Sequence, residues 1–135
     1  KEKAIQILEI VSDSFLSVST PVQLALPSWM ERKSEIQKEI LQRIRTNYST
    51  LKNQVSRSPA LHLHESEGGW SAVLELPKAL NDEAWACGLL QEEGVLIHPG
   101  YLFDFACDRF VVLSLLPPEN VFKEGVRRIG MMVSR

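Results

Sequence analysis

Apolar residues return every three or four positions over one long stretch of this chain, and the period changes after it. Ile36, Ile40, Ile44, Tyr48, Leu51 and Val55 recur at that spacing with Lys, Arg, Glu and Gln between them, which is the mark of an amphipathic helix. Counted from about Trp29 to Gln54, such a helix runs about 40 Å at 1.5 Å per residue. A small domain rarely needs a rod that long; one reaching from one domain into another does. Upstream, Ile5, Leu8 and Ile10 predict a helix over roughly residues 2–13 that fades in the Ser-rich segment Ser12 to Thr20. No capping residue precedes it, so the chain reads as starting mid-helix and as cut from something longer. Thr20 before Pro21 predicts a new helix start, with the Thr hydroxyl as cap and Pro in the first turn. Pro27 is expected to end that helix early, because it removes a backbone donor.

Beyond Ser58-Pro59 the pattern becomes that of strands. Leu61 and Leu63, then Val73, Leu74 and Leu76, predict two strands joined by a hairpin turn over Glu65 to Gly69. Pro77 closes the second. Asn81 predicts an N-cap with Asp82 and Glu83 in the first turn, and Gly94 the stop. Val95 to Ile97 predicts a short strand halted by Pro99-Gly100. Phe110 to Leu116, apolar almost throughout, predicts a central strand. Pro117-Pro118-Glu119 then starts a last helix with Phe122, Val126 and Ile129 on one face. The order from residue 33 is helix, strand, strand, helix, strand, strand, helix. This is an α+β class, a small antiparallel or mixed sheet with helices packed on one face, preceded by a long N-terminal helix.

Composition narrows the function classes. The chain has 135 residues, 44% apolar and 24% charged, with a net charge of −2, which gives no electrostatic case for nucleic acid or an anionic membrane as partner. No apolar run approaches the roughly 20 residues that span a bilayer. Two cysteines, Cys87 and Cys107, do not make a disulfide framework, and the expected setting is reducing and cytoplasmic.

Candidate chemistry is sparse. His62-x-His64 puts two imidazoles on one strand face, but Cys87, Cys107 and His98 complete no known ligand spacing, and no metal site is expected. Cys87, inside a helix near Trp85 and Leu89, reads as a small buried residue. The pairs Glu92-Glu93 and Asp104 with Asp108 read as solvated charge. Gly68-Gly69 is a turn and not a phosphate-binding glycine loop. Lys33, Lys38, Arg43 and Arg45 alternate with Glu35 and Glu39 as a solvated helix face does. Residue chemistry alone offers no self-contained active site.

Three segments in order resemble the end of the fold-type I, pyridoxal-phosphate-dependent aminotransferases of class I/II. FLSVSTPVQLALP resembles the stretch after the family's cofactor lysine. GGWSAVLELP followed by DEAWACGLLQEEGVLIHPG resembles its small-domain hairpin, helix and strand. RFVVLSLLPPENVFKEGVRRI resembles its closing strand and C-terminal helix. The resemblance implies that residues 1–32 are the tail of a large cofactor-binding domain and residues 33–135 the small domain, which closes on the large one and excludes water. It implies pyridoxal phosphate in the full-length parent and none held by this segment. The lysines Lys1, Lys3, Lys33, Lys38, Lys52, Lys78 and Lys123 lie in helices or beside a proline, without the Ser/Thr- and Gly-containing loop of the cofactor lysine. No catalytic residue is therefore expected here.

The partners implied are the missing N-terminal large domain, a second subunit in a homodimer, and amino acid and 2-oxo acid substrates. Ser19, Thr20 and Gln23 match the interface segment near the neighbouring subunit's cofactor, though a cap is the favoured role for Thr20. Trp70 matches a position that can line the substrate pocket, or an aromatic that merely packs on the hairpin. Val112 stands where the family has an arginine, two residues before the Ser of the closing strand (here Ser114), which binds the substrate carboxylate. Either the chemistry is altered or the register is displaced by a residue or two. Arg109, three residues away, is expected on the opposite face of the strand from Val112. Two alternatives keep the fold class: a non-transaminating relative, such as a lyase or a transcription regulator with an aminotransferase-like domain, and an autonomous α+β binding or dimerisation module.

Overall fold

The computed structural model describes residues 2–14 and 18–135. Its elements follow in the order α1 (Glu2–Ser14), α2 (Thr20–Val55), β1 (His62–His64), β2 (Ser71–Glu75), α3 (Asp82–Glu93), β3 (His98–Pro99), a 3-10 turn (Gly100–Phe103), β4 (Phe110–Ser114) and α4 (Glu119–Val133). The chain divides into two compact units, Lys1–Lys38 and Glu39–Arg135, with the division inside α2.

The first unit is helical. α1 covers the predicted span and buries none of its residues; Ile5, Leu8 and Ile10 are all at least half exposed. At the start of α2 the Gln23 N–H donates to the Ser19 carbonyl at 3.1 Å. Ser19 therefore holds the cap position and Thr20 is the first helical residue, one step from the expectation. The Gln23 side chain folds back to donate to the Val18 carbonyl at 2.6 Å. Pro27 does not end this helix. It lies inside α2, which continues to Val55, so the two helices read from the sequence are one. The missing Pro27 N–H orphans only the Gln23 carbonyl, and Gln23 is exposed, so water can take the donor's place.

The second unit is a four-stranded sheet in the order β1-β2-β4-β3, antiparallel at every pairing. The α+β class holds, and β4 is interior as its apolar run predicts. One sheet face carries Ala72, Leu74, Val111 and Leu113. Against it pack Trp85 and Leu89 of α3, Phe122, Val126 and Ile129 of α4, and Leu51 of α2. Leu74, Leu89 and Val111 are 0% exposed, and each such side chain contributes about 1.5–3 kcal/mol by leaving water. The α4 face is the one expected.

Several local rules operate as read. Asn81 Oδ1 accepts from the Ala84 N–H at 2.7 Å, and Gly94, at φ 65°, ends α3 in the left-handed region. Two expectations fail here. Val95 still belongs to the helix end, its N–H donating to the Leu89 carbonyl at 3.0 Å. The ladder thus begins only at His98, paired with Val112, and the expected strand at Val95 to Ile97 is displaced. Cys87 is exposed and not buried, because α3 turns Trp85 and Leu89, one turn apart, toward the sheet and leaves Cys87 off that face.

Asn47 joins α2 to the end of β4. Its Nδ2 donates to the carbonyls of Leu115 and Pro117, both at 2.9 Å, and Arg43 reaches the Leu116 carbonyl at 3.4 Å. These carbonyls lie past the last ladder pair of β4, so helix side chains supply the donors. Asn47 is 0% exposed, and its Oδ1 has no partner.

Candidate functional site

The antiparallel registers put the remaining polar and aromatic residues of the sheet on its other face, where no helix packs. One row across the strands is His64, Val73, Val112 and His98; the next is His62, Glu75 and Phe110; a third is Ser71 and Ser114. Opposed residues of antiparallel strands point the same way, so this face collects three histidines, a carboxylate and an aromatic ring. The segment after β3 borders it: Phe103 meets His98 edge-on at 6.3 Å, and Phe105 lies 5.1 Å from Phe110. Asp82, 3% exposed, anchors that segment by accepting from the Tyr101 N–H at 2.8 Å.

Glu75 is the centre of the charge on this face. One oxygen contacts Arg109 Nη1 at 2.8 Å and the other His64 Nε2 at 3.2 Å. His62 and His64 stand with ring centroids 4.9 Å apart, and Phe110 packs edge-on against His64 at 5.2 Å. Arg109 continues the β2–β4 register past its last pair, its carbonyl accepting from the Leu76 N–H at 2.9 Å. That register sets Arg109 opposite the buried Leu76, off the Val112 face as alternation expects, and its long side chain reaches Glu75, with the guanidinium carbon 6.0 Å from the Phe110 ring centre. This trio was illegible in the sequence. Glu75 and Arg109 are far apart along the chain, and only the β2–β4 register brings them together. The alternation of His62 and His64 was the one local signal.

The residues matched through the family resemblance are scattered. Val112 is 5% exposed, between Val73 and His98 in its row, with no cation at its own position. Trp70 is 62% exposed at the mouth of the β1–β2 hairpin, and its carbonyl accepts from the Leu115 N–H at 2.7 Å. Ser19, Thr20 and Gln23 belong to the first unit. A cavity of about 560 Å3 lies instead beside α4, lined by Leu96, Ile97, Leu113, Val121, Phe122 and others; Ser114 borders it, but Trp70 and Val112 do not.

The described lysines do not suit a cofactor Schiff base, which needs a neutral amine in a desolvated setting. Lys3, Lys33, Lys38, Lys78 and Lys123 are exposed. Lys52 donates to Glu65 at 2.9 Å, which raises its pKa above the ordinary value and keeps it charged. Among the described residues no group of three or more His, Cys, Asp or Glu side chains is arranged to hold a metal ion. No described helix is long and apolar enough to cross a membrane. Glu92 and Glu93, read as solvated, both pair with Arg135, and the Glu93 side chain is 9% exposed.

The fold defines a class: the α+β architecture found within pyridoxal-phosphate-dependent aminotransferases. No protein-family model matches the chain, and no curated protein matches it. Solved structures do. An aminotransferase described as pyridoxal-phosphate-dependent, from Streptococcus suis, matches with a TM-score of 0.81 at 19% identity, over 96% of this chain and 34% of its own. An α-aminoadipate aminotransferase from Thermus thermophilus, complexed with N-(5'-phosphopyridoxyl)-L-leucine, matches with a TM-score of 0.73 at 22% identity, over 99% of this chain and 36% of its own. An Escherichia coli protein with a methionine aminotransferase function matches with a TM-score of 0.71 at 23% identity, over 89% and 32%. At these identities the likeness is one of fold. The chain spans about a third of the length of each.

Proposed function

We propose that this chain is the C-terminal part, mostly the small domain, of a fold-type I aminotransferase whose missing large domain holds pyridoxal phosphate and the reacting lysine. The parent transfers an amino group between an amino acid and a 2-oxo acid, as a cytoplasmic homodimer. Residues 1–32 are the tail of the large domain, with Ser19, Thr20 and Gln23 at the subunit interface, and residues 33–135 are the small domain. The observation that carries this reading is that aminotransferase structures match nearly the whole chain while two thirds of each lies outside it. The division of the chain after Lys38 and the lack of any buried residue in α1 support the two-part organisation. In the parent the sheet face bearing Val112 and Glu75 turns toward the substrate, and its closure excludes water.

The isolated chain does not transaminate, because its described lysines lack the setting a Schiff base requires. The test compares this chain with the full-length polypeptide, each mixed with pyridoxal phosphate, a panel of amino donors and a 2-oxo acid. Amino transfer by the full-length protein alone is expected. A stoichiometric, lysine-dependent cofactor band in the isolated chain would overturn the assignment.

Val112 favours a second reading. Its position is apolar, 5% exposed and flanked by Val73 and His98, so it supplies no charge for a carboxylate. A lyase or a transcription regulator with an aminotransferase-like domain accommodates that valine. Full-length protein that binds the cofactor but transfers no amino group would select this reading.

A further inference from the structure

We propose that an open slot between Leu96 and Ser114 is filled, in the full-length parent, by an extended apolar stretch of the same polypeptide. This deepens the aminotransferase reading and rests on its two-part organisation. The β3–β4 ladder stops early. Arg109 and Leu115 bond to the β2 side, so by alternation Ser114 turns its N–H and carbonyl toward the β3 side. The ladder ends at His98 with Val112, and the next hydrogen-bonded pair in that register would be Leu96 with Ser114. That pair does not form. The bond from the Val95 N–H to the Leu89 carbonyl keeps this stretch at the end of α3. Among the described residues, the main-chain groups of Leu96 and Ser114 therefore meet no hydrogen-bond partner.

The cavity of about 560 Å3 beside α4 lies at this gap, with Leu96, Ile97, Ser114, Val121 and Phe122 in its lining. Leu96 is 74% and Val121 56% exposed, so the slot presents apolar side chains beside unbonded peptide groups. That combination suits a strand, which brings main-chain bonds to the open edge and apolar side chains to α4. The charged groups of the lining are already used. Arg128 donates to Glu124 and to the Glu93 carbonyl, and Glu124 takes two further bonds from Arg127. A small ion finds no free counter-charge here, whereas an uncharged stretch of polypeptide needs none. The parent has such chain to supply, since aminotransferase structures place about two thirds of their length outside the part matched here.

Amide hydrogen exchange, read by mass spectrometry, compares this chain with the full-length polypeptide. In the full-length protein the Leu96 and Ser114 amides should exchange about 100-fold more slowly than in this chain. Val121→Glu puts a charge in the slot while suiting the first turn of α4, where the helix dipole favours it. In the full-length protein it should remove most of that protection and leave exchange at Leu74, in the core, unchanged. Leu96→Lys, at a position 74% exposed here, is the second variant and should act alike. Fast exchange at both amides in both proteins overturns the proposal, as does protection that neither variant reduces. Protection that grows with the concentration of this chain alone assigns the slot to a second copy and overturns it equally. Amino transfer is scored separately in the full-length protein. Transfer without slot protection sinks the slot alone; slot protection without transfer sinks the aminotransferase activity alone.

Discussion

The two units of this chain share the same kind of sequence pattern and differ in what becomes of it. Along α2, Ile36 of the first unit belongs to the same apolar stripe as Leu51 of the second, yet it is 51% exposed where Leu51 is 1%. In α1 every apolar side chain is in water, whereas α4, with a comparable stripe, buries Phe122, Val126 and Ile129. The difference teaches that an amphipathic period specifies a helix and a face, and nothing about whether the face finds a partner. The second unit supplies its own partner, a sheet whose inner face is Ala72, Leu74, Val111 and Leu113. Within the first unit no such surface exists among the described residues.

This contrast can be broken or sharpened by substitution. The largest effect is expected in the core: Leu89→Ala should lower the unfolding free energy by about 2–5 kcal/mol in a denaturant titration. The matched change Leu8→Ala should move it by no more than about 0.5 kcal/mol. Equal losses at the two sites would erase the distinction. Next comes the clasp between α2 and β4. Asn47→Leu fills the same volume but leaves the Leu115 and Pro117 carbonyls without donors, at a cost of about 2–3 kcal/mol, read in the same titration. A smaller effect attends the cap of α3, where Asn81→Ala should cost about 1 kcal/mol.

The smallest effect is electrostatic and depends on pH. Hydrogen bonds from Arg127 and then Arg128 lower the Glu124 carboxyl from its ordinary 4.5 to about 2. A lowered folded-state pKa means the contribution is fully present above the unfolded value and is lost as pH falls through about 2. Glu124→Gln should therefore be slightly less stable than wild type near neutrality, with the gap closing between those two values. Because the group is exposed the gap is small, so carboxyl titration followed by NMR, with a midpoint near 2 for Glu124, is the sharper measurement.

Much of the fold was legible because its signals are local. The α4 face, the Asn81 cap, the Gly94 stop and the β1–β2 hairpin each depend on residues a few positions apart, and each formed as read. The errors were also local rules, applied where context outweighed them. Pro27 costs one backbone bond, which an exposed helix can cede to water. The Schellman-type bond from Val95 to Leu89 kept residues in the helix end that an apolar triplet had assigned to a strand. Alternation set Arg109 off the Val112 face, but it could not show that so long a side chain reaches Glu75 from there.

By itself, the sequence determined the class of the fold, the number and order of the elements in the second unit, and most helix and strand ends. It also supplied the likeness to aminotransferases, through segments in the right order. Tertiary structure alone decided which half of the α2 stripe is buried, that Asn47 bolts the helix to β4, and that Glu75 divides its oxygens between His64 and Arg109. The physical reason is range. Caps, turns and periodicity act within about four residues along the chain, whereas burial and ion pairing depend on neighbours that only strand register brings within reach.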